Sequence, residues 1–325
     1  MMAAIRLRIN PPPAPLPQET ARLLWEDLND WEVVEWDDLP SSYRQFDRPL
    51  ELAIALENND IAVHWETPFP DDAPPIFPWP QQLQAYDWPD SPTILALVPH
   101  RGCEPWLRRC LTSLVQQTHA PSNIVVIDDA SPQPPLEIIQ GFESVTLLTA
   151  AEQVGPYGLI QAVIDRTDYD AYLFQDADDW STGDRLATLL ATARSQGAEL
   201  VGSQEIRILE PELQLQAVGY PPNVTQALNQ GPGHPLLHPT SLVTRDLVQR
   251  LGGFATGLRF GGDTEFLLRA HWRARLVNSP RYCYFRRKRP GSLTTAAATG
   301  LGSPPQTGVD GTTQAAGSGQ CPGSG

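Results

Sequence analysis

The sequence predicts an α/β protein with a mostly parallel sheet flanked by helices. Three observations predict it. Unbroken apolar runs of strand length recur from Thr93 onward, stretches with helical spacing separate them, and acidic residues close two of the runs. Apolar runs without alternation belong to strands covered on both faces, and strand–helix alternation makes such strands parallel.

The elements follow in order. Residues 93–98 are a continuous apolar strand, and 123–127, 145–148 and 171–174 are three more. Between the first two, residues 106–117 place Leu107, Leu111, Leu114 and Val115 on one helical face. Residues 159–164 and 185–196 read as further helices, and 199–201 as the start of another strand. Ligands of such sheets bind beyond the carboxyl ends of the strands. The polar residues that follow each strand are therefore the ones to weigh.

The 325 residues leave room for more than this domain. Residues 1–67 are an acidic, Trp-rich module with short strands expected at 31–36, 50–56 and 61–65 and a helix at 18–29. Its tryptophans either fill a small core or dock a protein partner. Residues 68–91 are Pro-rich, a linker or a wrap over a neighbouring surface. The main domain is expected over 92–295. Residues 296–325 are rich in Gly, Ser, Thr, Ala and Pro, the composition of a flexible tail.

Charge and composition exclude several classes. Residues 1–90 carry 17 acidic and 5 basic side chains and hold most of the −15 net charge, while 91–290 are nearly neutral with 20 acidic and 18 basic. No basic face for a nucleic-acid polymer is available. The cysteines, Cys103, Cys110, Cys283 and Cys321, form no CxxC pair, against zinc or a disulfide framework. No apolar run reaches the ~20 residues that span a bilayer, and the first residues lack the apolar stretch of a secretory signal. A cytoplasmic protein is expected, with attachment to the inner face of a membrane allowed.

Two acidic clusters carry the chemistry. Asp128 and Asp129 follow the second strand, and Asp176, Asp178 and Asp179 follow the fourth. On one parallel sheet both would face one crevice. Carboxylates so close repel unless a cation or a donor offsets them. Mg²⁺ or Mn²⁺ suits them, because hard cations take oxygen ligands and share them with substrate phosphates. Turn and cap chemistry is the other use of such residues.

Segments in this order resemble the GT-A glycosyltransferases of the large inverting family 2. Val98-Pro-His-Arg-Gly102 stands at the family's first strand end, and Val126-Ile-Asp-Asp-Ala-Ser131 resembles its Val-Val-Asp-Asp-Gly-Ser. Gln175-Asp-Ala-Asp-Asp-Trp180 resembles the Asp-X-Asp-Asp metal motif. Phe260-Gly-Gly-Asp-Thr-Glu-Phe-Leu-Leu-Arg269 resembles the late Glu-Asp segment that opens a helix and supplies the base, and 284–294 the closing segment. The resemblance implies a GT-A fold, a nucleotide-diphosphate sugar donor, a divalent metal (Mn²⁺ or Mg²⁺) and a glycan, lipid-linked or small-molecule acceptor.

By that resemblance, Pro99 and Asp128 flank the nucleoside. Asp176 and Asp178 approach the ribose, the diphosphate and the metal, and Asp179 is a ligand or a helix cap. Asp263 is the general base, with Glu265 the alternative, paired with Arg269 if it is not the base. His100 and Arg101 replace the family's Tyr-Asn and either touch the nucleotide or shape the loop. Gly155 and Gly158 fit a turn near the nucleotide. His238 is a candidate contact of acceptor or diphosphate. Arg286 and Arg289 belong to a basic run placed just past the last strand, a diphosphate contact or a solvated surface. A nucleotidyltransferase and a degenerate GT-A binding or scaffold protein are the competing readings; the first lacks a Gly-rich phosphate loop after the first strand.

Overall fold

The computed structural model describes residues 6–9, 63–66, 77–210, 214–258 and 261–290. Of the expected N-terminal elements, only the last strand falls on described residues. A short antiparallel pair joins β1 (Arg6–Ile9) to β2 (Val63–Glu66). The helix at 18–29, the strands at 31–36 and 50–56, and the tail lie outside the described residues.

The main sheet follows the order β5-β4-β3-β6-β10-β8-β11-β7, with β9 paired to β8. Its first half is β3 (Ile94–His100), β4 (Asn123–Asp128), β5 (Val145–Thr149) and β6 (Ala171–Phe174), all parallel. The second half is mixed. β10 (Leu242–Thr244) runs antiparallel to both β6 and β8 (Leu200–Leu209), while β11 (Leu276–Lys288) lies parallel to β8. The two-residue β7 (Trp180–Ser181) and β9 (Gln214–Val218) are antiparallel additions to β11 and β8.

Alternate strand residues sort into two cores, one on each face. Ile94, Ala96, Val98, Ile124 and Val126 pack under α1 (Glu104–Val115), α2 (Leu136–Ile139) and α4 (Arg185–Gln196). Leu95, Leu97, Val125, Ile127, Tyr172 and Phe174 pack under α3 (Pro156–Ile164), α5 (Val224–Gln230), α6 (Arg245–Arg250) and α7 (Gly262–Ala270). Each buried Leu or Ile contributes roughly 1.5–3 kcal/mol relative to exposure. This two-sided covering is why the strands carry no polar alternation.

The described part of the Pro-rich segment wraps the domain. Leu83 and Trp88 are buried, Trp88 Nε1 donates to the Ala198 carbonyl at 2.8 Å, and the Tyr86 N–H donates to the Gly197 carbonyl at 3.0 Å. Gly197 ends α4 with φ of 57°, and a Cβ there would sit 2.5 Å from Ala85 Cβ. The wrap and the left-handed cap both require glycine at this position.

One expected boundary is corrected. Arg286, Arg287 and Lys288 do not follow the last strand; they are its final residues. β11 shifts register between Asn278 and Tyr284, so its alternation is broken and its charged end does not read as strand.

Candidate active site

The strand ends β3, β4 and β6 open on one edge of the sheet, as the parallel topology requires. Pro99 lies past the last β3–β6 pair, Leu97 with Phe174, so its missing N–H costs no bond on that ladder.

The loop after β4 is held by hydrogen bonds from its own residues and neighbours. Asp128 is fully buried; its carboxylate faces His100 Nδ1 at 2.9 Å and accepts the Ser131 N–H at 2.9 Å. Burial pushes its carboxyl up, but the bonds from Ser131 and His100 outweigh it and leave it below the usual range. His100 is itself buried, against Asp128 rather than toward the open edge. Arg101 donates to the carbonyls of Asp129 and Ala130, so it shapes this loop. Asp129 accepts the N–H of Val154 at 2.8 Å and of Gly155 at 3.1 Å, fixing the turn that opens α3. Gly155 caps α3 with φ of 81°, a turn conformation that favours glycine, whereas Gly158, expected in the same turn, lies inside the helix. Ala130 holds φ of 51° where the family pattern has glycine.

The loop after β6 is the acidic centre. Asp176 is half-buried and its N–H donates to the Tyr284 hydroxyl at 3.1 Å. Burial and the Asp178 charge raise its carboxyl to about 6; Arg286 offsets part of this and Asp263 adds to it. Asp178 accepts from Arg289 Nε at 2.9 Å. Asp179 is buried and accepts the Arg287 N–H at 2.7 Å. It ties β11 to the loop and does not cap a helix, since α4 begins only at Arg185. Burial and the neighbouring Asp178 and Asp176 raise its carboxyl well above the usual range.

Buried Arg185 holds this loop from beneath. It donates to Gln175 Oε1 at 2.7 Å, to the Phe174 carbonyl at 2.7 Å and to the Pro239 carbonyl at 2.8 Å. It stacks on the Tyr284 ring at 4.9 Å, and burial lowers its guanidinium to about 10. The loop after β6 is thereby joined to the turn that carries His238. Nothing local in the sequence marks Arg185 or Tyr284 for this work.

The end of β11 supplies cations. Arg286 lies 3.7 Å from buried Glu205, with Asp179 and Asp176 among the charges that hold its proton. Arg287 pairs with Glu210 and lies over Trp106 and Trp180. Arg289 stacks on Trp106 at 4.2 Å while it bonds Asp178. The basic run is therefore built into the acidic centre rather than solvated.

Asp263 sits in the first turn of α7, after Gly261 with φ of 75°. Asp263 and His238 line one small cavity with Phe174, Phe254 and Phe266. His238 stacks on Phe174 at 4.1 Å, and burial pushes its imidazole down to about 4 against the Asp263 charge. His234 reaches the Thr264 hydroxyl at 2.9 Å. Glu265 is committed elsewhere: Arg269 clamps it at 2.5 and 2.6 Å and donates onward to the carbonyls of Leu251 and Gly253. This is the i,i+4 pair expected if Glu265 is not the base.

The fit to a metal follows from the donor set. Among the described residues no group of three or more His, Cys, Asp or Glu side chains could hold a metal ion by itself. Burial and the neighbouring Asp178 raise the Asp176 carboxyl more than Arg286 and Arg185 lower it, so a further positive charge would be favoured there. One or two carboxylates completed by substrate phosphates is the usual setting for Mg²⁺. The residues fit a cation that arrives with a diphosphate.

Residues 96–247 match the family model described as glycosyl transferase family 2. The chain carries a family 2 glycosyltransferase domain. Its fold is that of solved GT-A structures. TarS 1-349 of S. aureus is 20% identical, with a TM-score of 0.52 over 60% of each chain. The same fragment in complex with UDP-GlcNAc is 18% identical with a TM-score of 0.51, covering 61% of this chain and 59% of that one. In complex with UDP it is 19% identical with a TM-score of 0.51, covering 61% of each. The chain thus spans about 60% of the length of these structures. No curated protein matches it by sequence. Among the described residues, no helix of this chain is long and apolar enough to cross a membrane.

Proposed function

We propose that the domain transfers a sugar, with inversion, from a nucleotide-diphosphate sugar to an acceptor hydroxyl. One proximity carries this reading: Asp263 at the start of α7 lies close enough to Asp176 at the end of β6 for its charge to raise the Asp176 carboxyl. The related fold of TarS is seen with UDP-GlcNAc, which makes a uridine diphosphate sugar the donor to try first.

Asp178 and Asp176 would hold Mn²⁺ or Mg²⁺. When bound, that ion supplies Lewis-acid stabilisation of the departing diphosphate. Arg286 and Arg289 would add positive charge for the same oxygens. Pro99, the 128–131 loop and the Gly155 turn form the wall for the nucleoside. His100 acts from behind by fixing Asp128. Asp263 takes the acceptor proton as the acceptor oxygen bonds the anomeric carbon. The bond to the diphosphate breaks on the opposite face, and the diphosphate leaves with the electron pair. His238 and His234 border the acceptor side. The acceptor is a glycan, lipid-linked or small-molecule hydroxyl.

The test is diphosphate release from a panel of nucleotide sugars with Mn²⁺. Asp263→Asn is expected to lose turnover and keep donor binding, and Glu265→Gln to keep turnover. The reverse pattern would move the base to Glu265.

A further inference from the structure

The base has a neighbour that the sequence does not advertise. Tyr157, the second residue of α3, packs against the first turn of α7. A Cβ built on Gly262 would be 2.9 Å from Tyr157 Cδ2 and Cε2 and 3.1 Å from Cγ. No real side chain tolerates that approach to a ring packed from behind. The ring is fixed by Phe254, stacked at 6.3 Å and 21°, and by His238 at 6.0 Å. The ring therefore lies beside the residue that precedes Asp263, and the Asp263 charge acts on the phenol.

This geometry gives a physical reason for a departure in the sequence. Where the family pattern has Glu immediately before the base, this chain has Gly262, and the Tyr157 ring fills the space a side chain would need. We propose that Tyr157 is the positioning residue of the base, its phenol donating to the Asp263 carboxylate and fixing it toward the acceptor. The inference rests on Asp263 being the base. The phenol stays protonated to do this: burial first, and then the Asp263 charge, push it well above the ordinary tyrosine range. A carboxylate free to rotate about its side chain spends less time in line with the acceptor proton, and small misplacements of catalytic groups cost large rate factors.

Tyr157→Phe keeps the ring over Gly262 and removes only the hydroxyl. With UDP-GlcNAc and Mn²⁺ as the probe, kcat for diphosphate release is expected to fall roughly 10-fold or more. The donor KM and the melting temperature should not change. Unchanged kcat would overturn the proposal, and so would a loss confined to KM. The double variant Tyr157→Phe/Asp263→Asn should be no slower than Asp263→Asn alone, because a residue that acts through another shows no added loss once that partner is gone. Additive losses would overturn it. The two readings fail differently. An Asp263→Asn enzyme with full turnover defeats the base assignment. A dead Asp263→Asn beside a fully active Tyr157→Phe defeats this inference alone.

Discussion

Replacing His238 by Phe should make the protein markedly less sensitive to acid. The imidazole is buried against Phe174 and Phe254, and burial lowers it from 6.5 to about 4 despite the Asp263 charge. The folded pKa is depressed, so between 6.5 and 4 the unfolded chain binds a proton that the folded chain refuses. The stability this withholds is fully present above pH 6.5 and is lost as pH falls toward 4. Near pH 5 the loss spans about 1.5 pH units at about 1.4 kcal/mol each, or about 2 kcal/mol. His238→Phe removes this term and keeps the stacking. It sacrifices no bond at Nε2, which is buried without a partner. Asp176 and Asp179 titrate with the opposite sign, but they are common to both proteins and cancel in the difference. Urea unfolding of the two proteins at about pH 7.5 and about pH 5 reads it directly. The variant should gain about 2 kcal/mol on the wild type between the two conditions. A difference that stays flat across that range would refute a buried, neutral His238.

Other outcomes follow from the same contacts. Arg185→Leu orphans the carbonyls of Phe174 and Pro239 and the Gln175 side chain, and should cost about 2–4 kcal/mol of unfolding free energy and weaken donor binding. Ala130→Gly relieves a left-handed residue and should raise stability by about 0.5–1 kcal/mol in denaturant titration, the strain relief exceeding the added freedom of the unfolded chain. Arg269→Ala should release the Leu251–Gly253 turn, lowering the melting temperature more than Glu265→Gln, because the carbonyl bonds belong to Arg269.

Much of the first half of the sheet was legible because β3, β4 and β6 are buried on both faces. β6 and α4 have the bounds that their apolar pattern gives, Ala171–Phe174 and Arg185–Gln196. The second half was not. β7 and β10 have two and three residues, too short for any period, and β11 ends in Arg286, Arg287 and Lys288 because its partners there are acidic residues and tryptophan faces. The acidic centre could be read from position alone, since strand ends of a parallel sheet share an edge. What each carboxylate does there could not. Asp179 bonds an N–H 108 positions away, and Asp128 is consumed by His100 and Ser131. Tyr157 gave no signal, for its role exists only where α3 meets α7.

The most direct measurement is calorimetric titration of UDP into the protein with and without Mn²⁺, for the wild type and Asp178→Ala. A site built on the loop after β6 predicts that Mn²⁺ strengthens UDP binding to the wild type and that Asp178→Ala abolishes this strengthening. Equal binding in all four titrations would contradict a metal–diphosphate site at Asp176 and Asp178.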